Sequence, residues 1–383
     1  MTRDFVLGFL ALFTFVGAMY ALMPALPIYL EELGSDVKEI GILIGVYNLS
    51  ALLFRIAVGA ALRRFSAKSI MAAGALLFAI TFVACLTIRP FWPFLILRFL
   101  QGSSFSLMDT AAFAFAVSII PVSSRGQGLA TFMIAITLAL ALAPALGMYI
   151  INRYSFTVLF LTCAGLSLLA FFFSCRLPGP FMLNSIEQCE IKEPILEHRI
   201  IAPAMSSFLF NFVWGAALAF VPLYAIRTGI NNPGYFFTSI AGMILIGRAI
   251  GSGILDRYSK ERIIITFILV SMAAMLLIAI STNLWMLILA GLFWGTGCAF
   301  FFPAIMAYAF DFAGSSGGPA VGTYRAVADF GTALGPAVMG VVASFTGYRI
   351  IFVCLAFMCL VDAVYFSILM KRKCDCLKIP GSR

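Results

Sequence analysis

FRIAVGAALRRFSAKSI, residues 54–70, has a second copy at residues 247–263, GRAIGSGILDRYSKERI. Aligned without a gap, Arg55 meets Arg248, Leu62 meets Leu255, Arg64 meets Arg257, Ser66 meets Ser259 and Ile70 meets Ile263. Each copy starts in an apolar run carrying one arginine, passes small residues and ends in a basic turn. Small residues let helices approach closely in lipid, and a basic turn marks a loop held on the cytoplasmic side of a membrane. The match extends upstream, where LPIYLEELG (26–34) parallels VPLYAIRTG (221–229). It extends downstream more weakly, with ALAPALG (141–147) against ALGPAVMG (333–340). Repetition at half the chain length points to duplicated bundles, because solenoid units recur every ~20–50 residues.

Composition sets the class. Hydrophobic residues make up 63% and charged residues 11%, with a mean hydropathy of +1.07. A soluble domain carries about 25% charge. At about 20 apolar residues per spanning helix, 383 residues with little hydrophilic sequence hold about twelve spans. The expected fold is therefore all-α and polytopic, with two pseudo-symmetric six-helix bundles. Residues 1–175 form the first bundle, 176–201 a cytoplasmic linker, 202–371 the second bundle and 372–383 a cytoplasmic tail. The net charge of +9 belongs to topology and phospholipid contact, not to nucleic acid. Basic residues such as Arg63, Arg64, Lys68, Arg125, Arg257 and Lys260 gather in the even loops, while the odd loops hold only Lys38, Arg89, Arg153, Arg227 and Arg349. This places both termini in the cytoplasm. The nine cysteines form no disulfide or zinc pattern, and the single histidine, His198, lies in a polar stretch. No metal, cofactor or enzymatic cluster is expected. The first apolar run, from Phe5, reads as a retained helix and not a signal peptide.

These residues resemble the major facilitator superfamily. Its loop between helices two and three usually carries a glycine, an aspartate four residues on and further basic residues. The second copy keeps Asp256 and Arg257, with Ser252 and Ser259 at the glycine places. The first keeps Gly59 and Arg64, with Arg63 in the aspartate place. Arg98, Gln101 and Gly102 are similar to the arginine–glycine motif of helix four. Pro144 and Gly147 keep the skeleton of a helix-five packing motif, which Gly331, Gly335 and Pro336 repeat more fully in helix eleven. Asp329 with those glycines, and Pro121, Arg125, Gly126 and Gly128 after helix four, look most like the bacterial efflux-type branch. Membership implies a central cavity near the midplane and inverted three-helix repeats in each half.

No GxxxxGK[ST] loop occurs, which argues against ATP as the energy source. An ion gradient, expected to be of protons, or the solute's own gradient is left. An ionisable side chain in a helix centre costs at least about 2.5–3.5 kcal/mol, so each one is a functional candidate. Asp109 lies about three helical turns from Arg98, on roughly one face, and the two are the proton-coupling candidates. Arg325 and Asp329 are placed to pair along helix eleven. Asp329 is expected to meet Arg63, completing a latch to which Arg55, Arg64, Arg248, Asp256 and Arg257 also belong. Arg55 and Arg248, duplicated, should do a duplicated bundle-closing job. Asp362 is assigned to structure, and Asp311 to a cytoplasmic helix end. Tyr20, Asn48, Gln101, Asn211, Trp214 and Trp294 are the cavity candidates. Aromatic walls with few charges suit an amphipathic or weakly cationic solute better than a sugar. The expected function is a monomeric secondary transporter of the bacterial inner membrane, exporting a small organic solute by proton-coupled alternating access. Symport, facilitated uptake and a transport-inactive sensor are the alternatives.

Overall fold

A computed structural model describes residues 2–88, 91–178, 198–230, 232–313 and 317–378. Among these, twelve α-helices and no strands occur: α1 (Arg3–Glu32), α2 (Val37–Ala61), α3 (Ala67–Ala84), α4 (Phe91–Ile119), α5 (Arg125–Arg153), α6 (Phe156–Cys175), α7 (His198–Arg227), α8 (Gly234–Arg257), α9 (Lys260–Ile280), α10 (Leu284–Ala313), α11 (Gly317–Thr346) and α12 (Tyr348–Lys378). Eleven carry a stretch long and apolar enough to cross a membrane, and α8 contributes a shorter apolar stretch, Gly234–Ile250. The chain is an integral membrane protein. The helix α12 continues to Lys378, past the expected start of a tail at 372. Most of the expected linker, and the side chains of Cys374 and Cys376, lie outside what is described.

The duplication is visible helix by helix. Within the first six helices, α1 packs on α5 and α6, α3 on α4 and α6, and α2 on α4. The same pattern recurs six helices later, α7 on α11 and α12, α9 on α10 and α12, and α8 on α10. Matched residues do matched work. The Tyr29 hydroxyl on α1 donates to the Cys85 carbonyl at the end of α3 (3.2 Å), and Tyr224 on α7 donates to Ala279 at the end of α9 (3.0 Å). Gly34 and Gly229 end α1 and α7 at φ values of 86° and 83°. There Ser35 N–H reaches back to Leu30 (3.0 Å) and Ile230 N–H to Ala225 (2.8 Å). Such left-handed caps satisfy end carbonyls and are open to glycine at little cost. Trp92 and Trp285 begin α4 and α10, 73% and 78% exposed, where an aromatic belt meets the headgroups. The basic turns tie down neighbouring helices within each half. Lys68 donates to the Leu177 carbonyl after α6 (2.8 Å), and Lys260 pairs with Asp311 near the end of α10 (2.9 Å).

The halves meet along α2–α11, α5–α8 and α1–α7. Gly41 and Gly45 let α2 lie against α11: a Cβ on Gly41 would overlap the Pro336 carbonyl, and one on Gly45 would stand 2.7 Å from the Ala333 carbonyl. On the other side Thr238 of α8 donates to the Ala141 carbonyl of α5 (2.6 Å). At the face of the α1–α2 turn, Arg227 donates to Glu31 (2.6 Å), which also accepts from the Tyr348 hydroxyl (3.2 Å). That face is closed by contacts across the halves. Toward the other face, where α1 begins and α12 ends, Arg55 and Arg248 each reach across to the other half.

Candidate functional site

Between the halves lies a cavity of about 220 Å³, below the roughly 300–1,000 Å³ common for ligand pockets, so it suits a small solute. Its apolar wall includes Met19, Met23, Phe78, Phe105 and Trp214, and its polar groups are Tyr20, Tyr47, Asn48, Arg98 and Thr332. Of the expected cavity residues, Tyr20, Asn48 and Trp214 line it. Asn211 stands one layer back. Its carboxamide oxygen accepts from the Thr332 hydroxyl (3.3 Å) and its NH₂ donates to the Ser207 carbonyl (2.8 Å), so it orients a lining residue. Two further expectations are corrected. Gln101 is fully buried and accepts from Arg98 at 2.7 Å, outside the lining. Trp294 is also fully buried, stacked on Phe210 (5.3 Å) in the core of the second half, and it borders the cavity only through Trp214 (6.0 Å). Its helix turns that face toward α7 and away from the cavity. Met19, Met23, Tyr47, Phe105 and Thr332 carried no sequence signal beyond belonging to cavity helices.

Arg98 does not pair with Asp109. Its guanidinium donates to the Leu43 carbonyl (3.2 Å) and Gln101, and stacks 4.4 Å over the Tyr47 ring. Asp109 instead pairs with Arg55 of α2 (3.5 Å). Asp329 of α11 takes the same guanidinium through its other terminal nitrogen. Arg63 and Arg64 are exposed, so the expected Arg63–Asp329 latch is replaced by Arg55–Asp329. The reason is register: Arg55 lies two turns deeper on α2, level with Asp329, whereas Arg63 has passed the helix end. Arg325 makes no ion pair among the described residues, so its expected pairing with Asp329 along α11 is absent. Arg55, Asp109 and Asp329 are 31%, 18% and 27% exposed. Arg257 is exposed, and the Asp256 side chain lies outside the described residues.

Arg248, the counterpart of Arg55, also reaches across the halves, donating to the Thr137 hydroxyl of α5 (2.9 Å). The packing motifs sit at close helix approaches. A Cβ on Gly147 would overlap the Ala21 carbonyl of α1, and Cβ atoms on Gly331 and Gly335 would overlap the carbonyls of Phe208 and Phe212 on α7. Pro144 backs onto Gly234 of α8, as Pro336 backs onto Gly41 of α2. Asp362 is 1% exposed, an interior position in α12.

Two matching six-helix bundles in a membrane, closed on one face over a central cavity, define a transporter of small solutes. The family model of the Major Facilitator Superfamily matches residues 8–281 and 234–374, and the chain belongs to that superfamily. It is 24% identical over 348 residues to the quinolone resistance protein NorA of Staphylococcus aureus, covering 88% of each chain. It is 25% identical over 296 residues to an uncharacterized MFS-type transporter of Methanocaldococcus jannaschii, covering 73% of this chain and 75% of the relative. The crystal structure of the nucleoside transporter NupG superposes with a TM-score of 0.79 at 16% identity, over 97% of this chain and 100% of that one.

Proposed function

We propose that the protein exports a small amphipathic organic solute in exchange for protons, with the cavity as solute site and Asp109 as proton carrier. The observation that carries this reading is Arg55, shared between Asp109 of its own half and Asp329 of the other. A proton on Asp109 leaves the guanidinium to Asp329 and strengthens the contact between the halves. Its loss makes Asp109 a competitor and loosens that contact. At an effective dielectric of about 20, a unit charge pair near 4 Å is worth about 4 kcal/mol. Moving a two-state equilibrium from 1:99 to 99:1 takes about 5.5 kcal/mol. The proton alone therefore falls short of a full switch, and solute binding supplies the remainder, which is the condition for coupling. Tyr20 connects the two sites, since it lines the cavity and stands within electrostatic reach of Asp109. The basic turns around Arg63, Arg64, Arg257 and Arg262 support a topology with both termini in the cytoplasm. The match to NorA supports the direction of transport.

The test is proton movement in everted vesicles, with lipophilic cations, amphipathic acids, sugars and amino acids added in turn. At least one compound releases protons from the lumen with wild type and none does with Asp109→Asn. Labelled flux without proton movement in wild type would replace exchange by facilitated transport.

A further inference from the structure

The two matched arginines have unequal surroundings. When the packing motifs are aligned on Pro144 and Pro336, Thr137 of α5 falls opposite Asp329 of α11. The structure carries this alignment into contacts: Arg55 crosses from α2 to Asp329 on α11, and Arg248 crosses from α8 to Thr137 on α5. The second arrangement keeps the geometry of the first and lacks its carboxylate. The place of Asp109 in α10 falls within the aromatic pair Phe301 and Phe302. Arg55 therefore has two acids, while Arg248 has one neutral hydroxyl and makes no ion pair among the described residues.

Arg98 is the comparison within the cavity. It too lacks an acid, but it is 6% exposed, and two of its nitrogens and its planar face are engaged by Leu43, Gln101 and Tyr47. Arg248 is exposed and has engaged one nitrogen. It stands within electrostatic reach of Tyr20, which lines the cavity. A guanidinium left without a counter-charge at membrane depth is costly, and its planar fork matches an oxyanion through two parallel bonds.

We infer that Arg248 is a binding site for an oxyanion, a carboxylate or phosphate, brought by the molecule that occupies the space between the halves. The inference rests on the transporter reading of that space and adds an acidic group to the amphipathic solute. Thr137 holds the guanidinium in place until the anion arrives.

The test uses purified full-length protein and needs no gradient, so it stands or falls apart from the vesicle assay. Binding of tritiated 3-phenylpropionate is measured by scintillation proximity, in competition with 3-phenylpropionamide and 3-phenylpropylamine. In wild type the carboxylate binds about tenfold or more tighter than either. Arg248→Gln removes that preference. Thr137→Asp removes it too, by giving Arg248 the internal acid that Arg55 has, and this variant keeps the arginine should Arg248→Gln fold poorly. A second arm asks whether a lipid supplies the anion. Protein from vesicles containing phosphatidylglycerol is examined by native mass spectrometry for retained lipid. Retention lost in both variants assigns the site to a headgroup, and carboxylate preference lost in both assigns it to a soluble acid. If neither variant changes either readout, or wild type shows no anion preference in both arms, the inference is overturned.

Discussion

Arg55 shows how little a single residue type says about its job. Its sequence neighbours are apolar, and its repeat partner Arg248 has the same kind of neighbours, yet the two end against different chemistry. Removing one partner from a fully buried ion pair costs about 3–5 kcal/mol, and less for the partly exposed groups of this cluster. Arg55→Gln leaves Asp109 and Asp329 facing each other without a cation, so it should lower the melting temperature in detergent. Adding Asp109→Asn to that variant should recover part of the loss. If the double variant melts no higher than the single one, the three groups are not electrically coupled. Arg63 is the contrast. It is exposed, so Arg63→Asp should leave transport within about twofold of wild type. A surface charge pair is worth only about 0–1 kcal/mol.

Among the helices, glycines that look alike in sequence do two kinds of work. Gly331 and Gly335 bring α11 against α7 inside one half, whereas Gly41 and Gly45 bring α2 against α11 between the halves. The first contact belongs to the folded state throughout; the second lies beside the α1–α2 turn and must break when that face opens. Gly335→Leu should therefore lower thermal stability, because overpacking a tight contact costs about 1–3 kcal/mol. Gly41→Leu should leave the melting temperature nearly unchanged and abolish transport, by preventing closure of that face. Equal loss of stability in both variants would show the α2–α11 contact to be as permanent as α7–α11. The periodic small residues were legible in the sequence. Which neighbour each one faces was not, since a glycine without a Cβ carries no mark of its partner.

For the whole molecule, the closed face is held by Glu31, Arg227 and Tyr348, from α1, α7 and α12. Arg227 also lies 4.8 Å over the Tyr348 ring. Arg227 is exposed and the pair is a surface one, so its contribution stays near 0–1 kcal/mol. That is up to about fivefold in an open-to-closed ratio, a size that tunes alternation without locking it. Spin labels at Asp36→Cys and Tyr235→Cys, on either side of that face, should report a larger long-distance population in Glu31→Gln than in the parent. An unchanged distance distribution removes the latch from the account.

The sequence by itself determined the membrane class, the twelve helices and the duplication, because lipid demands long apolar spans and a repeat preserves its spacing. It also picked out the ionisable residues inside the spans, Arg55, Arg98, Asp109, Arg248, Arg325, Asp329 and Asp362. Only the tertiary structure decided their partners. Helix rotation and register between α2, α4 and α11 brought Asp109 to Arg55 and not to Arg98, and Asp329 to Arg55 and not to Arg63. Packing of α10 against α7 turned Trp294 into the core, while α2 and α11 left Tyr47 and Thr332 on the cavity wall. Periodicity fixes which residues share a face, while the direction of that face depends on packing against helices distant in the chain.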